Sequence, residues 1–256
     1  GLAGVGAWCQ RTSDRPERFN DKPFGFLLVA QALYQFQSSL KSFGNGGTDT
    51  MNGGAGNDTL IGGTGLDVLD GGEGNDLYMI SDQDQITDTG AGGFDRGQIA
   101  VSSGLSLAIG GWSGIERVSG LSGNDTISAV GATTDLTLDG GDGNDVLTGG
   151  SGNDSLFGGN GADRLIGGTG DDFIVGGDGA DVFVFATGFG NDALRDFANG
   201  SDLIDLSGHE GSTAFSDLTL TQAGAHVVIE VTGTTDSITV LNTSVAVLGA
   251  EDFIFA

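Results

Sequence analysis

The chain has 256 residues, 50 of them Gly, and its 35 acidic residues against 9 Lys and Arg give a net charge of −26. A single Cys excludes an internal disulfide framework and a Cys-rich zinc site, so acidic a surface repels nucleic acid and anionic lipid, and 2 Pro exclude collagen. Two readings remain: an unfolded acidic linker, or a chain that folds when cations arrive, since Asp is the hard oxygen ligand that calcium prefers.

Residues 1–43 carry a net charge of +2 and residues 44–256 a net charge of −28, which places a boundary between Phe43 and Gly44. Residues 1–24 hold no interpretable pattern, and a start at Gly1 rather than Met leads us to expect a piece of something longer. Val29, Leu33, Phe36, Leu40 and Phe43 recur at intervals of four and three, so the spacing predicts an amphipathic helix over about 25–42 that caps a following solenoid. A signal peptide built on FGFLLVA is the weaker reading, because the run is short and acidic residues precede it. No run approaches the length of a membrane span.

From Gly44 the chain reads GNGGTDTMN, GGAGNDTLI, GGTGLDVLD, GGEGNDLYM, and from Gly140 GGDGNDVLT, GGSGNDSLF, GGNGADRLI, GGTGDDFIV, GGDGADVFV. These nine units of nine residues keep Gly at positions one and four, Asp at position six and a large apolar residue at position eight. An unfolded linker has no reason to hold such a register. The GGxGxD stretch reads as a turn in which Gly adopts positive φ, and the last three residues read as a strand with its central side chain inward. No unit can bury its own face, so units must stack. Met51, Leu60, Leu69 and Tyr78 are then expected to form one inward ladder, and Leu147, Leu156, Leu165, Ile174 and Phe183 another. Each buried side chain contributes about 1.5–3 kcal/mol, little against about 1–2 kcal/mol of backbone entropy for every residue ordered. A bridging cation is the missing contribution.

The GGxGxDxUx unit is the signature of calcium-binding RTX proteins, and on these nine repeats the chain resembles the repeats-in-toxin, or haemolysin-type, family. The resemblance implies an all-β fold, a right-handed parallel β-roll with two nonapeptides per turn, several Ca2+ ions, and a secreted or cell-surface protein exported by type I secretion machinery. It pairs Asp49 with Asp67 and Asp58 with Asp76; it places Asp145, Asp163 and Asp181 on one edge, and Asp154, Asp172 and Asp192 on the other. It also implies main-chain ligands from the turns: Gly53, Ala55, Gly56, Gly62, Gly65, Gly71 and Gly74 in the first block (44–80), and Gly140, Gly143, Gly149, Gly152, Gly158, Gly161, Gly167, Gly170, Gly176 and Gly179 in the second block with its closing segment (140–206).

Between the blocks, over 81–139, the register fails. Alternation in Gln98–Val101 and Leu105–Ile109, with Trp112 and Ile115 as candidate core, predicts a looser continuation of the solenoid; GLSGNDTIS at 120–128 is a weak repeat with Asp125. TGFGNDALR at 187–195 is another. The stretch after it resembles the closing segment of serralysin-type proteases and mannuronan epimerase modules, where Asp196, Asp202 and Asp205 are either terminal ligands or turn residues. Over 207–256, Leu218, Leu220, His226–Val231 and Ser237–Leu241 read as short antiparallel strands. The terminal EDFIFA suits both a last capping strand and an uncleaved C-terminal secretion signal.

Enzyme signatures are missing. HEGST at His209 lacks the second His of HExxH, and GWSGI lacks the last Gly of GxSxG. There is no P-loop Lys and no completed GxGxxG. Asp82-Gln83-Asp84 fails as an EF-hand at Ile86 and Thr87. His209 and His226 are expected at the surface. The function expected is a calcium-binding module that stays unfolded until exported; the alternatives are the tail of a secreted protease, lipase or polysaccharide epimerase or lyase whose catalytic domain lies upstream, or an adhesin or surface-layer element.

Overall fold

The computed structural model describes residues 8–12, 39–81, 83–90 and 92–256. The chain divides into two compact units, Gly1–Asp95 and Arg96–Ala256. Both are built by stacking one motif, a Gly/Asp turn followed by a short strand.

In the first unit the strands are β1 (Trp8–Thr12), β2 (Lys41–Phe43), β3 (Thr48–Ala55), β4 (Thr59–Ile61), β5 (Val68–Glu73), β6 (Leu77–Ile80) and β7 (Gln85–Ile86). β3, β5 and β7 are parallel, with Met51 opposite Leu69 and Leu69 opposite Ile86. β2, β4 and β6 form the second parallel set, with Leu60 opposite Tyr78. Successive repeats therefore alternate between two sheets, because each strand pairs with the next strand but one. The four apolar residues expected in one ladder are divided between two, and each is at most 1% exposed. β1 pairs antiparallel with β3 at the sheet edge.

The helix expected over about 25–42 lies outside the described residues through position 38. Its last turn is corrected: Lys41–Phe43 is strand β2, parallel to β4. An unpaired strand edge offers a full row of backbone partners at this point, including the Leu40 carbonyl that accepts from Thr59 N–H, and these outweigh the helical periodicity.

In the second unit one sheet runs through β8 (Arg96–Ile99), β10 (Arg117–Ser119), β12 (Thr137–Asp142), β14 (Ser155–Asn160), β16 (Phe173–Asp178) and β18 (Asn191–Leu194). The other runs through β9 (Ser106–Ala108), β11 (Thr126–Ser128), β13 (Val146–Thr148), β15 (Arg164–Ile166), β17 (Val182–Val184) and β19 (Leu203–Asp205). All of these pairs are parallel. Leu138, Leu156 and Ile174 stack on one side, and Ile127, Leu147, Leu165 and Phe183 on the other. Residues 96–139, where the sequence register fails, continue the same parallel coils: Arg117 pairs with Thr137 and Ser106 with Thr126. Those coils are longer than the regular ones, and so escape a nine-residue template.

The last fifty residues change the pattern. β20 (Leu218–Ala223), β21 (His226–Val231) and β22 (Ser237–Val240) form an antiparallel meander, and β22 joins β18 in parallel. β23 (Phe253–Ile254) pairs with β19, so part of the terminal EDFIFA does complete a sheet. No helix among the described residues is long and apolar enough to cross a membrane.

Candidate metal centre

Every position-six Asp is buried, at 0–2% exposure. A desolvated carboxylate is costly unless it is bonded, and the fold meets that requirement in one repeated way. Asp145 N–H donates to Asp163 Oδ1 at 2.7 Å, and Asp163 N–H donates to Asp181 Oδ1 at 2.9 Å. The same bond links Asp49 to Asp67 and Asp58 to Asp76 in the first unit, and Asp154 to Asp172 and Asp172 to Asp192 in the second. The carboxylates thus line up in rows, each Asp N–H bonded to the Asp carboxylate of the next coil.

One oxygen of most of these carboxylates is left over. Among the described residues, Oδ2 of Asp58, Asp67, Asp76, Asp125, Asp145, Asp163, Asp172, Asp181 and Asp192 is buried without a hydrogen-bond partner. Asp154 differs, its Oδ2 accepting from Gly150 N–H at 2.7 Å. Each lone oxygen of a repeat faces the position-one Gly of that repeat. A Cβ on Gly158 would come closer than 3.0 Å to both Asp163 Oδ2 and the carbonyl oxygen of Gly176, one coil further on, and Gly53 and Gly140 stand in the same relation to Asp58 with Gly71 and to Asp145 with Gly158. Gly62, Gly71, Gly149, Gly167 and Gly176 likewise have a carboxylate Oδ2 against the missing Cβ. The notch is lined by a carboxylate and a backbone carbonyl, a donor set suited to calcium.

Position four differs in backbone conformation. Gly56, Gly65, Gly74, Gly143, Gly161, Gly170 and Gly179 all have positive φ, and their backbones lie against the coil before or after, as where the Gly143 carbonyl meets Gly161. Gly152 does not adopt positive φ; it packs on the Thr134 carbonyl of a non-repeat turn. Ala55 ends β3, opposite Glu73. Among the described residues no three acidic, His or Cys side chains converge on one point, so an ion in these rows must draw on main-chain oxygens.

Electrostatics follow from burial. Desolvation pushes Asp76, Asp163 and Asp172 up to about 6 and Asp192 up to about 8, with donated backbone N–H bonds holding them down in part and neighbouring carboxylates adding to the rise. Asp58, Asp125, Asp145, Asp154 and Asp181 are raised for the same leading reason. Positive charge placed beside such a row would bring these values down again and favour the ionised form.

The rows extend beyond the consensus repeats. Asp84 Oδ1 accepts from Asp67 N–H at 3.1 Å, Asp95 from Asp76 at 2.6 Å, Asp125 from Leu105 at 2.6 Å, and Asp202 from Asp181 at 3.0 Å. Their spacing is not eighteen, which hid Asp84 and Asp95, whereas Asp125 stood out in a weak repeat and Asp202 as a candidate terminal ligand; the shared signal is Asp followed two residues later by an inward apolar residue, as in Asp84–Ile86, Asp125–Ile127 and Asp202–Ile204. Asp196 and Asp205 stand apart. Asp196 accepts from Gly176 and Gly177 N–H. Burial raises Asp205, but bonds from Ser207 and Arg164 outweigh it and hold its carboxyl low.

A second ladder went unread in the sequence. The position-five side chain accepts from the N–H of position five in the next coil: Asn144 from Ala162, Asn153 from Asp171, Asp135 from Asn153, and Asn57 from Asn75, at 2.8–3.0 Å. The recurrent Asn-Asp of the repeats thus bonds in both directions, Asn forward and Asp back.

The family model of the RTX calcium-binding nonapeptide repeat matches four segments, residues 43–78, 111–129, 137–165 and 157–194. No curated protein matches the chain in sequence. Among solved structures, the extracellular lipase LipA from Serratia marcescens is 18% identical, covering 84% of this chain and 40% of the lipase, with a TM-score of 0.29. The AlgE6R3 subunit of the Azotobacter vinelandii mannuronan C5-epimerase is 24% identical, covering 62% of this chain and 83% of that subunit, with a TM-score of 0.30. The chain thus spans less than half the length of the lipase.

Proposed function

This chain carries RTX calcium-binding nonapeptide repeats stacked as a parallel β-roll, and from that premise we propose that it is the calcium-folded module of a secreted protein. The observation that carries this reading is the row of buried Asp Oδ2 atoms without a hydrogen-bond partner. Such atoms cost about 1–3 kcal/mol each, and more when charged. Calcium supplies the positive charge and the open oxygen coordination that these rows lack.

The residues divide the work. Position-six carboxylates present one oxygen to the notch and tie the preceding coil with the other. Position-one glycines keep the notch open and, one coil on, offer their carbonyls. The ligands we assign are Asp49, Asp58, Asp67, Asp76, Asp145, Asp154, Asp163, Asp172, Asp181 and Asp192, to which the rows add Asp125. Where calcium is scarce, as inside a cell, a tract of −28 repels itself and remains unfolded, a state suited to passage through type I secretion machinery. Extracellular calcium, at the roughly 10⁻⁴–10⁻³ M affinities of extracellular modules, then drives folding, since binding free energy here is folding free energy. An attached catalytic or adhesive domain is part of this proposal, and the C-terminal EDFIFA would serve both as last strand and as export signal.

Circular dichroism during calcium titration tests it. The expected outcome is a cooperative gain of β signal with calcium and a much smaller one with magnesium at equal concentration. Equal responses to both ions, or a full β signal in chelator, would sink the proposal.

A further inference from the structure

The row of carboxylates in the second unit ends at Asp154. In the next position Leu136 stands in place of Asp, and its N–H still donates to Asp154 Oδ1 at 2.8 Å. One coil earlier the residue in register with Leu136 is half-buried Glu116, whose carbonyl accepts from Thr137 N–H at 2.8 Å, next to buried Ile115. Leu136 and Ile115 are each 6% exposed. The coils here are longer than eighteen residues, with Arg117 opposite Thr137, and the extra residues widen the turns at 110–116 and 130–136. Each is pinned by its own backbone bond, Trp112 N–H to the Ile109 carbonyl and Ala132 N–H to the Ala129 carbonyl, both at 2.9 Å.

Between these turns lies a cavity of about 320 Å³, the size at which small-molecule pockets begin. Ile109 and Leu136 are buried beneath it, half-buried Trp112 forms a wall, and Ser113, Thr133 and Thr134 are exposed on its lining. No charged side chain lines it. Two acidic residues adjoin the lining in sequence, half-buried Glu116 after Ile115 and Asp135 before Leu136, the latter accepting from Asn153 N–H at 2.8 Å.

We propose that this cavity binds a neutral sugar ring. The electron-rich face of an indole attracts the polarised C–H groups of a pyranose, and three hydroxyl side chains can exchange hydrogen bonds with the sugar's own hydroxyls. The chain's net charge of −26, with no cation in the cavity, repels carboxylated or sulfated sugars. The site lies where the ion-binding pattern is interrupted, so sugar and calcium do not compete for the same atoms. It goes beyond the calcium reading and needs only that the second unit be folded.

The chain has 2 Trp, so a Trp8→Phe variant reports on Trp112 alone. In saturating calcium, with folding read by circular dichroism on the same sample, its fluorescence is followed against cellotetraose, maltotetraose and chitotetraose, and against tetragalacturonate. The expected result is a saturable change with at least one neutral tetrasaccharide and none with tetragalacturonate. Calorimetry on Trp112→Ala, and on Thr133→Val/Thr134→Val in case the first variant fails to fold, should then show loss or weakening of binding at unchanged β signal. No saturation with any neutral tetrasaccharide by a folded chain would overturn the proposal, as would equal binding of tetragalacturonate. Absence of a calcium-induced β signal would count against the calcium reading, a distinct failure visible in the same cuvette.

Discussion

Asp163 shows how one carboxylate serves two purposes. Oδ1 ties the coil before it through Asp145 N–H, and Oδ2, buried without a hydrogen-bond partner, is the oxygen we propose for an ion. Two substitutions separate these roles. Asp163→Ala strands a buried N–H and should cost about 1–3 kcal/mol even before the ion is considered. Asp163→Asn can keep the acceptor and remove the charge; it should lower calcium stoichiometry by one, read by calorimetry, while making the metal-free coil less unfavourable. The partner residue is as constrained. Gly158→Ala would set a methyl group against both Asp163 Oδ2 and the Gly176 carbonyl, and should raise the calcium midpoint of folding and cost about 1–3 kcal/mol, as overpacking does. Gly111→Ala, with open space at its Cβ, is the control and should stay within about 0.5 kcal/mol.

At the scale of elements, the strands are too short to be stable alone, and what joins them is side chain to backbone as much as backbone to backbone. The Asn and Asp ladders bond consecutive coils at each turn, so order should spread from coil to coil. The closing meander is fixed differently. His209, expected at the surface, is 2% exposed: its Nδ1 accepts from Gly211 N–H, which leaves Nε2–H to donate to Asp236 Oδ2 at 3.2 Å. Asp236 Oδ2 also accepts from Gly188 N–H at 2.8 Å. Its burial follows from packing against Phe189, with ring centroids 5.8 Å apart, a contact that no local pattern around HEGST announces. Asp236→Ala leaves two donors unpaired and should loosen β22 from β18. Hydrogen exchange at Thr239 and Val240 should quicken, with the amides of β12 and β14 unchanged.

For the whole molecule the controlling quantity is charge. Buried carboxylates raised to about 6 in Asp76, Asp163 and Asp172, and to about 8 in Asp192, bind protons more tightly in the folded chain than in the unfolded one. Without metal, stability therefore falls as pH rises through these values, and the contribution is fully present only below the ordinary Asp range of about 4. The metal-free chain should gain β signal by circular dichroism between about pH 8 and pH 5. Calcium affinity should fall over the same interval, because protons and calcium compete for the same oxygens. A calcium-free β signal that rises with pH would contradict the assignment of buried, uncompensated carboxylates.

The nine-residue register alone determined that the chain is a stacked β structure and which residue of each repeat points inward; it left open that alternate repeats go to different sheets, so the Asp rows followed from the family resemblance and not from the spacing. It also located Gly where a side chain would collide. Only the tertiary structure decided matters that depend on coils of unequal length or on distant partners. It carried the rows on to Asp84 and Asp95, brought the candidates Asp125 and Asp202 into them, ended one at Leu136, turned Lys41–Phe43 into a strand and buried His209. Periodicity is a local property and survives in the sequence; pairing across coils of variable length, and burial by a returning chain, are settled by contacts between residues the sequence holds far apart.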